Sequence, residues 1–197
     1  GGVFRFFICN GLGLDEEQIF VHTTYLGGGF GRRYNVDYVE EAIEISQLTD
    51  SPVQLVWSRE DDMQHDFFRP QSGHLLRAAI SNEKKATAWF HRVAVPSITQ
   101  NFTSDLLRPV LPAVLPAILK QAIGDAAQWA TGFINDPIST HGAADLPYGF
   151  PNIQVELADA ETILPIGFWR SVGNSYNGFV TESFVDEIAH ELGQDPF

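Results

Sequence analysis

Helical periodicity is clearest in two segments of the chain. Apolar residues at helical spacing, separated by acidic ones, predict a helix over residues 36–48. Its acidic residues are interpreted as a solvent-facing side and not as a metal site. A second apolar series at i, i+4 spacing predicts a helix that opens at Asn177 or Gly178 and is stopped by Gly193.

Alternating and continuous apolar runs predict the strands. Residues 73–80 and 87–95 are separated by a short polar stretch and predict a β-hairpin. Residues 153–157, 19–25 and 53–57 are also predicted to be strands. Strands and helices in this order predict an α+β fold in which helices pack on one face of mixed sheets.

Two apolar segments give less definite predictions. Residues 3–10 carry an aromatic-rich pattern that fits either a helix or a strand. Residues 106–133 contain three prolines, so a continuous helix can begin only near the last of them, Pro116. Because Lys120 and Asp125 interrupt this segment, we do not expect a membrane span.

Composition narrows the classes of function. A chain of 197 residues that is 44% hydrophobic can form one large domain or two smaller ones, with residues 1–97 and 98–197 as the natural division. The formal charge of −13 would repel phosphodiester backbones, so nucleic acid is not an expected partner. Cys9 is the one cysteine, which excludes a disulfide or a four-cysteine iron–sulfur cluster within the chain.

The most informative stretch is the glycine loop, residues 26–33, which reads Leu-Gly-Gly-Gly-Phe-Gly-Arg-Arg. Glycines permit positive φ and bring bare amides against a ligand, and a following helix directs further N–H groups to the same place. This arrangement suits an anion such as a phosphate. Arg32 stands where the dinucleotide fingerprint requires a glycine, and no Gly-Lys-Ser/Thr follows for a P-loop. The alternative is a tight strand-to-helix turn that binds nothing.

A second candidate segment, residues 167–173, reads Gly-Phe-Trp-Arg-Ser-Val-Gly. Arg170 lies between an aromatic pair and a turn just ahead of a predicted helix. A guanidinium there can bind an oxyanion while the aromatic side chains exclude solvent. The alternative is an ion pair between Arg170 and Glu182 or Asp186.

Other polar residues are given structural interpretations. Ser58 and the acidic residues that follow it are interpreted as a capped helical turn. This interpretation is preferred to the alternative, a paired acid/base site. His74 and His91 are interpreted as structural histidines, because neither has a partner at a recognised metal-ligand spacing.

Both candidate segments resemble motifs of one family. The glycine loop is similar to a motif of the molybdopterin-binding large subunits of the xanthine dehydrogenase and aldehyde oxidase superfamily, and its doubled arginine resembles the isoquinoline 1-oxidoreductase beta-subunit branch. Residues 57–62, Trp-Ser-Arg-Glu-Asp-Asp, with His65 and Arg69-Pro70 downstream, resemble the same family, as do residues 167–173. The resemblance implies that Phe30 and Gly31 lie nearest the molybdenum. The cofactor-binding residues that it implies are Gly28, Gly29, Phe30, Gly31, Arg32, Phe168, Trp169 and Arg170.

The resemblance also implies a reaction. In this family a carbon beside a ring nitrogen, or an aldehyde carbon, is hydroxylated with oxygen from water. Xanthine-type members carry Gly-Lys-Glu where this chain has Arg32-Arg33-Tyr34, so purine oxidation is not expected. The family's catalytic base, a glutamate near the C-terminus of the full subunit, would lie beyond Phe197. No catalytic residue is therefore predicted within the chain, which is expected to be inactive by itself.

The resemblance further implies the setting of the chain. It would be an internal fragment of a much larger subunit that holds molybdopterin in the cytosine dinucleotide form and passes electrons to iron–sulfur clusters on a small partner subunit. Related subunits are often periplasmic; no export signal is visible here, and the cytoplasm is the alternative. Two other classes remain open: a cofactor-free structural or interaction domain from a degenerate homologue, and a phosphate- or nucleotide-binding enzyme.

Overall fold

A computed structural model describes residues 8, 9, 12, 14–107, 111, 115–131 and 136–196 of the chain. The chain forms two units, and each is built from two stretches of sequence. The first contains Gly1–Phe68 and Thr99–Ile134, and the second contains Arg69–Ile98 and Asn135–Phe197. The division into residues 1–97 and 98–197 stays a prediction. Most of the apolar segment at residues 3–10 lies outside the described residues.

The first unit is helical in its described part. Two 3₁₀ turns, Glu16–Gln18 and Arg32–Tyr34, precede its helices. These helices are α1 (Asp37–Thr49), α2 (Arg59–Gln64), α3 (Ile98–Leu107, which begins at the boundary between the units) and α4 (Ala117–Thr131). The predictions of a helix over residues 36–48 and of one that begins near Pro116 are confirmed.

The start of α2 confirms the capped turn that was predicted at Ser58. The Asp61 amide donates to the Ser58 hydroxyl oxygen at 3.1 Å, and the Ser58 amide donates to the Asp61 carboxylate at 3.2 Å. This reciprocal pair satisfies two N–H groups at the helix start. The Ser58 hydroxyl also donates to Asp61, which together with the cap lowers the pKa of that carboxyl group.

Two strand predictions in the first unit are wrong. Residues 19–25 and 53–57 form no strand. A strand is stabilised by hydrogen bonds to a neighbouring strand, and the only ladders among the described residues lie in the second unit. Phe20 and Val56 are about three-quarters exposed, at 76% and 75%, although Ile19 is buried, so neither segment is a buried strand.

The second unit contains a three-stranded mixed sheet. Its strands are β1 (Gly73–Ile80), β2 (Ala86–Val95) and β3 (Asn152–Asp159), in the order β1-β2-β3. β1 and β2 form the predicted antiparallel hairpin, with a register shift at Ala79/Ile80, and β3 pairs with β2 in parallel. The sheet confirms both the strand at residues 153–157 and the α+β class.

Helices cover one face of this sheet. Below them, Trp89 of β2 packs with Ile188 and Leu192, and a second cluster contains Val93, Val95 and Ala143. The helices are the single turn α5 (Pro137–Thr140) and the long α6 (Gly173–Leu192). This arrangement confirms the predicted packing of helices on one sheet face.

The predicted end of α6 is correct, whereas its predicted start is not. The predicted stop at Gly193 is confirmed, because this residue has φ of 68° and ends the helix in the left-handed conformation that glycine favours. The predicted start at Asn177 or Gly178 is wrong, because the helix begins at Gly173. Its first turn is polar and carries no apolar periodicity, so the hydrophobic pattern cannot reveal it.

Candidate functional site

The backbone of the glycine loop has a conformation that requires glycine at defined places. Gly28 has φ of 134° and Gly31 has φ of 97°, and Phe30 between them has φ of 46°. A Cβ atom added to Gly28 would lie 2.7 Å from Cε2 of Phe30. The Arg32 amide donates to the Gly29 carbonyl at 2.9 Å, which closes the loop into a tight turn before α1. The sequence therefore sets this conformation locally.

The loop presents free amide donors. Among the described residues, the amides of Gly27, Gly28 and Gly29 donate no hydrogen bond. Gly27 and Gly28 are exposed, and a Cβ atom at Gly27 would meet no atom within 4 Å. Adjacent unpaired amides beside open space can bind the oxygen atoms of an anionic group.

Arg32 is bound by residues of its own unit. Its guanidinium donates to both carboxylate oxygens of Asp37, at 2.9 and 2.7 Å, and its Nε lies 2.6 Å from Asp66. The guanidinium also lies over the rings of Trp57 and Phe67, with 5.8 and 5.2 Å to the ring centroids. Burial alone would lower the pKa of Arg32, but the hydrogen bonds and charges of the two carboxylates outweigh it and raise the pKa.

The Arg32 contacts tie the end of the glycine loop to the first residue of α1 and to the segment after α2. A direct contact between Arg32 and a cofactor stays a prediction. Arg33 differs from it, because its side chain is exposed and its guanidinium lies over the Tyr38 ring at 5.2 Å. The Arg33 stem packs beside the loop, since a Cβ atom on Gly29 would lie 3.3 Å from Arg33 Cγ.

The second candidate segment, Phe168 to Arg170, lies in the second unit directly before α6. Trp169 and Arg170 are exposed, and Trp169 has 39% of its surface accessible. The turn that follows contains two non-glycine residues with positive φ, Ser171 at 65° and Val172 at 43°. The ψ of Val172 is −120°, a combination that a β-branched residue rarely adopts.

Arg69 binds this turn from the start of the second unit. Its Nη2 donates to the Arg170 carbonyl at 3.0 Å, and its Nη1 donates to the Val172 carbonyl at 3.3 Å. The Ser175 hydroxyl donates to the same Arg170 carbonyl at 3.0 Å. In the sequence, Arg69 is recognisable only as part of a family-like Arg-Pro pair, which predicts no function for it. No local pattern connects residues that are 101 positions apart.

The first turn of α6 is fixed to the chain around α5. A Cβ atom on Gly173 would lie 2.2 Å from the Ile138 carbonyl oxygen, so the two backbones are in close contact. Asn177, which is fully buried, donates to the carbonyls of Ser139 and His141, both at 2.9 Å. These contacts give the strained turn a rigid base, and they explain why a small residue is required at position 173.

The structure also brings together two histidines that the sequence treats separately. Nδ1 of His74 lies 3.0 Å from Nε2 of His91, and Nε2 of His74 lies 2.9 Å from the Ser72 hydroxyl oxygen. His91 is fully buried, and burial together with the proximity of His74 lowers its pKa to about 4. Burial also lowers the pKa of His74. Among the described residues, no group of three or more His, Cys, Asp or Glu side chains is arranged to hold a metal ion.

The glycine loop belongs to the first unit and the Phe168 to Arg170 segment to the second. That both bind one cofactor stays a prediction.

None of the helices in the part of the chain that the structure describes combines the length and apolar character needed to cross a membrane.

Comparison with known proteins supports the family resemblance. A family model described as a molybdopterin cofactor-binding domain matches residues 3–97, which include the whole glycine loop. Residues 3–97 are therefore similar to a molybdopterin cofactor-binding domain. This match and the two relatives support the predicted resemblance to the molybdopterin-binding subunits of the xanthine dehydrogenase and aldehyde oxidase superfamily.

Two curated relatives match almost the entire chain. A membrane-bound aldehyde dehydrogenase [pyrroloquinoline-quinone] from Gluconacetobacter polyoxogenes is 27% identical over 205 residues, which cover 96% of this chain and 22% of that protein. The isoquinoline 1-oxidoreductase subunit beta from Brevundimonas diminuta is 26% identical over 186 residues, which cover 94% of this chain and 21% of that protein. The chain therefore spans about a fifth of the length of these relatives.

Proposed function

We propose that the chain is part of the molybdenum cofactor-binding subunit of an oxidoreductase that hydroxylates N-heterocycles or aldehydes with oxygen from water. Support comes from the family match and from the names of the two relatives, one of which refers to an aldehyde and the other to isoquinoline. The observation that carries the proposal is the row of three unpaired glycine amides, two of them on exposed residues, in a loop that the family model includes.

The residues of the loop fit an oxygen-rich cofactor. In the proposal the amides of Gly28 and Gly29 donate to its oxygen atoms. The positive φ values at Gly28 and Gly31 require glycine, which leaves no side chain between the backbone and the cofactor. Arg32 acts mainly by holding the loop through Asp37 and Asp66. When bound, the cofactor supplies the redox chemistry, while the protein supplies binding and orientation.

The second segment contributes different chemistry. Phe168 and Trp169 would exclude water from one side of the cofactor, and the Arg170 guanidinium would bind a negatively charged group of it. The proposal assigns no general base to this chain. It places molybdopterin there in the cytosine dinucleotide form. It also places the iron–sulfur clusters on a small partner subunit, since Cys9 is the one cysteine present.

A second candidate cofactor follows from one relative. The name of the Gluconacetobacter protein includes pyrroloquinoline quinone, and this protein matches the chain about as well as the isoquinoline enzyme does. A quinone also presents carbonyl oxygens that the loop amides could bind. The match to a molybdopterin domain favours molybdenum over the quinone.

The decisive experiment is cofactor analysis of the full protein that contains this chain. The protein is purified, its molybdenum is measured by elemental analysis, and released pterin, nucleotide and quinone are separated by chromatography. We expect stoichiometric molybdenum with a pterin and cytidine monophosphate. Protein that oxidises an aldehyde or N-heterocycle, holds quinone and lacks molybdenum would overturn the proposal in favour of the second candidate.

A further inference from the structure

The turn between Arg170 and Gly173 has an unusual conformation. Ser171 and Val172 both have positive φ, and Val172 with φ of 43° and ψ of −120° lies in a region that side chains disfavour. Such a conformation persists only where surrounding contacts hold it. The chain could have avoided the strain with glycine at position 172, as it does in the loop at Gly28 and Gly31.

Arg69 makes the contacts that hold the turn from outside. The N–H groups of its planar guanidinium point in fixed directions, and two of them reach the carbonyls of Arg170 and Val172 on either side of Ser171. A lysine keeps the charge but cannot present this fork. The contacts engage only backbone oxygens, so the side chains of Trp169 and Arg170 remain exposed.

We propose that Arg69 is a positioning residue that holds the strained turn at residues 170–172, and through it the Phe168, Trp169 and Arg170 side chains, in the conformation that binds molybdopterin. This inference rests on the proposed function. The strained conformation of the turn is thereby explained by cofactor binding. A relaxed turn would adopt a different shape, and the shape of the turn determines where the exposed Arg170 guanidinium and Trp169 indole lie.

The test uses the full protein with Arg69→Met, Arg69→Lys and, as a matched control, Arg77→Met. Arg77 is an exposed arginine of β1 on the sheet face opposite α6, outside both candidate segments. Three quantities are measured: the pterin and molybdenum retained after dialysis, the visible circular dichroism of the bound cofactor, and the unfolding midpoint of the cofactor-free protein.

We expect Arg69→Met to retain cofactor about tenfold less well, since it loses two charge-assisted hydrogen bonds. We expect Arg69→Lys to fall between Arg69→Met and the wild type, and Arg77→Met to match the wild type. The circular dichroism of cofactor still bound to Arg69→Met should differ from that of the wild type. Wild-type retention with an unchanged spectrum in Arg69→Met would overturn the inference, whereas a wild-type protein without molybdopterin would overturn the proposed function.

A double variant covers the case in which Arg69→Met fails to fold. Val172→Gly removes the strain that Arg69 holds in place, so Arg69→Met with Val172→Gly should fold. We expect this double variant to keep the low cofactor retention and altered spectrum, because its turn is relaxed. If folding and cofactor retention return together, Arg69 acts through stability alone and the positioning role is wrong.

Discussion

Nδ1 of His74 and Nε2 of His91 are 3.0 Å apart, beneath the helices that cover the sheet. Nδ1 of His91 is buried and has no partner among the described residues. A buried lone pair without a partner is tolerated better than a buried N–H without one, so we assign the His91 proton to Nε2. His91 then donates to His74, and His74 donates to Ser72. This chain of hydrogen bonds requires His74 to be neutral, and a second proton on His91 would place a buried N–H at Nδ1 without an acceptor among the described residues.

The histidine pair predicts that stability falls in mild acid. The pKa of His91 is about 4 in the folded protein, whereas an unfolded histidine has a pKa near 6.5. Between these values the unfolded state binds more protons, so the free energy of unfolding decreases as the pH falls from about 6.5 toward 4, by up to about 3 kcal/mol. Hydrogen exchange of the β2 amides, measured across this pH range, reports the loss.

A matched pair of variants tests the cause of this pH dependence. His91→Gln removes the titrating group and should flatten the dependence, although His74 leaves part of it. His190→Gln changes an exposed histidine of α6 and should leave the dependence as in the wild type. A profile that His91→Gln does not alter would assign the pH dependence to other groups.

The Arg32 network predicts a local stability contribution. Arg32→Lys loses the two-pronged contact with Asp37 and the planar contact with Trp57 and Phe67, so we expect a loss of about 2 kcal/mol in the free energy of unfolding. The control is Arg59→Lys, since Arg59 pairs with Asp62 on the surface, where such a change costs about 0.5 kcal/mol or less. Urea unfolding measures both. Equal losses would show that the Arg32 contacts contribute no more than a surface ion pair.

The elements that the sequence predicts correctly are those with local signals. The helix α1 has an apolar stripe, the end of α6 has Gly193, and the hairpin has two apolar runs separated by a polar turn. Residues 19–25 and 53–57 have similar apolar content, yet they are not strands. A strand depends on a neighbouring strand as well as on its own residues, and the periodicity of one segment contains no information about its neighbours.

The same distinction between local signals and distant contacts applies to the candidate site. The glycine loop can be predicted from the sequence because positive φ at Gly28 and Gly31 depends on the residue type itself. The contacts that hold the loop in place cannot be predicted in this way. Arg32 reaches Asp66, and Arg69 reaches the carbonyl of Arg170, across stretches of chain that carry no shared pattern. Sequence motifs therefore identify the candidate residues, and only the fold shows which side chains hold them.

The loop conformation predicts a strong effect of one methyl group. Gly28→Ala places a side chain at φ of 134° and 2.7 Å from the Phe30 ring, so we expect a loss of about 1–3 kcal/mol in stability and lower molybdopterin retention. Gly27→Ala is the control, because its Cβ atom meets nothing within 4 Å and its φ is not positive. Thermal unfolding and pterin content measure the two effects. If both variants behave as the wild type, the loop conformation is not required for binding.

The strain at Val172 predicts a reversal of the usual order of alanine and glycine. Both Val172→Ala and Val172→Gly remove the valine packing, and at an ordinary position glycine is the less stable of the two by roughly 0.5–1 kcal/mol. At φ of 43° and ψ of −120° only glycine relieves the backbone, so we expect Val172→Gly to be more stable than Val172→Ala by about 1 kcal/mol. At Gly178 within α6 we expect the opposite order, with alanine more stable than glycine. A Cβ atom added there would meet nothing within 4 Å, so Gly178→Ala should stabilise the helix. Urea unfolding of the three variants compares the two positions. Should alanine be preferred over glycine at both, the turn stores no strain, and Arg69 has no strained conformation to hold.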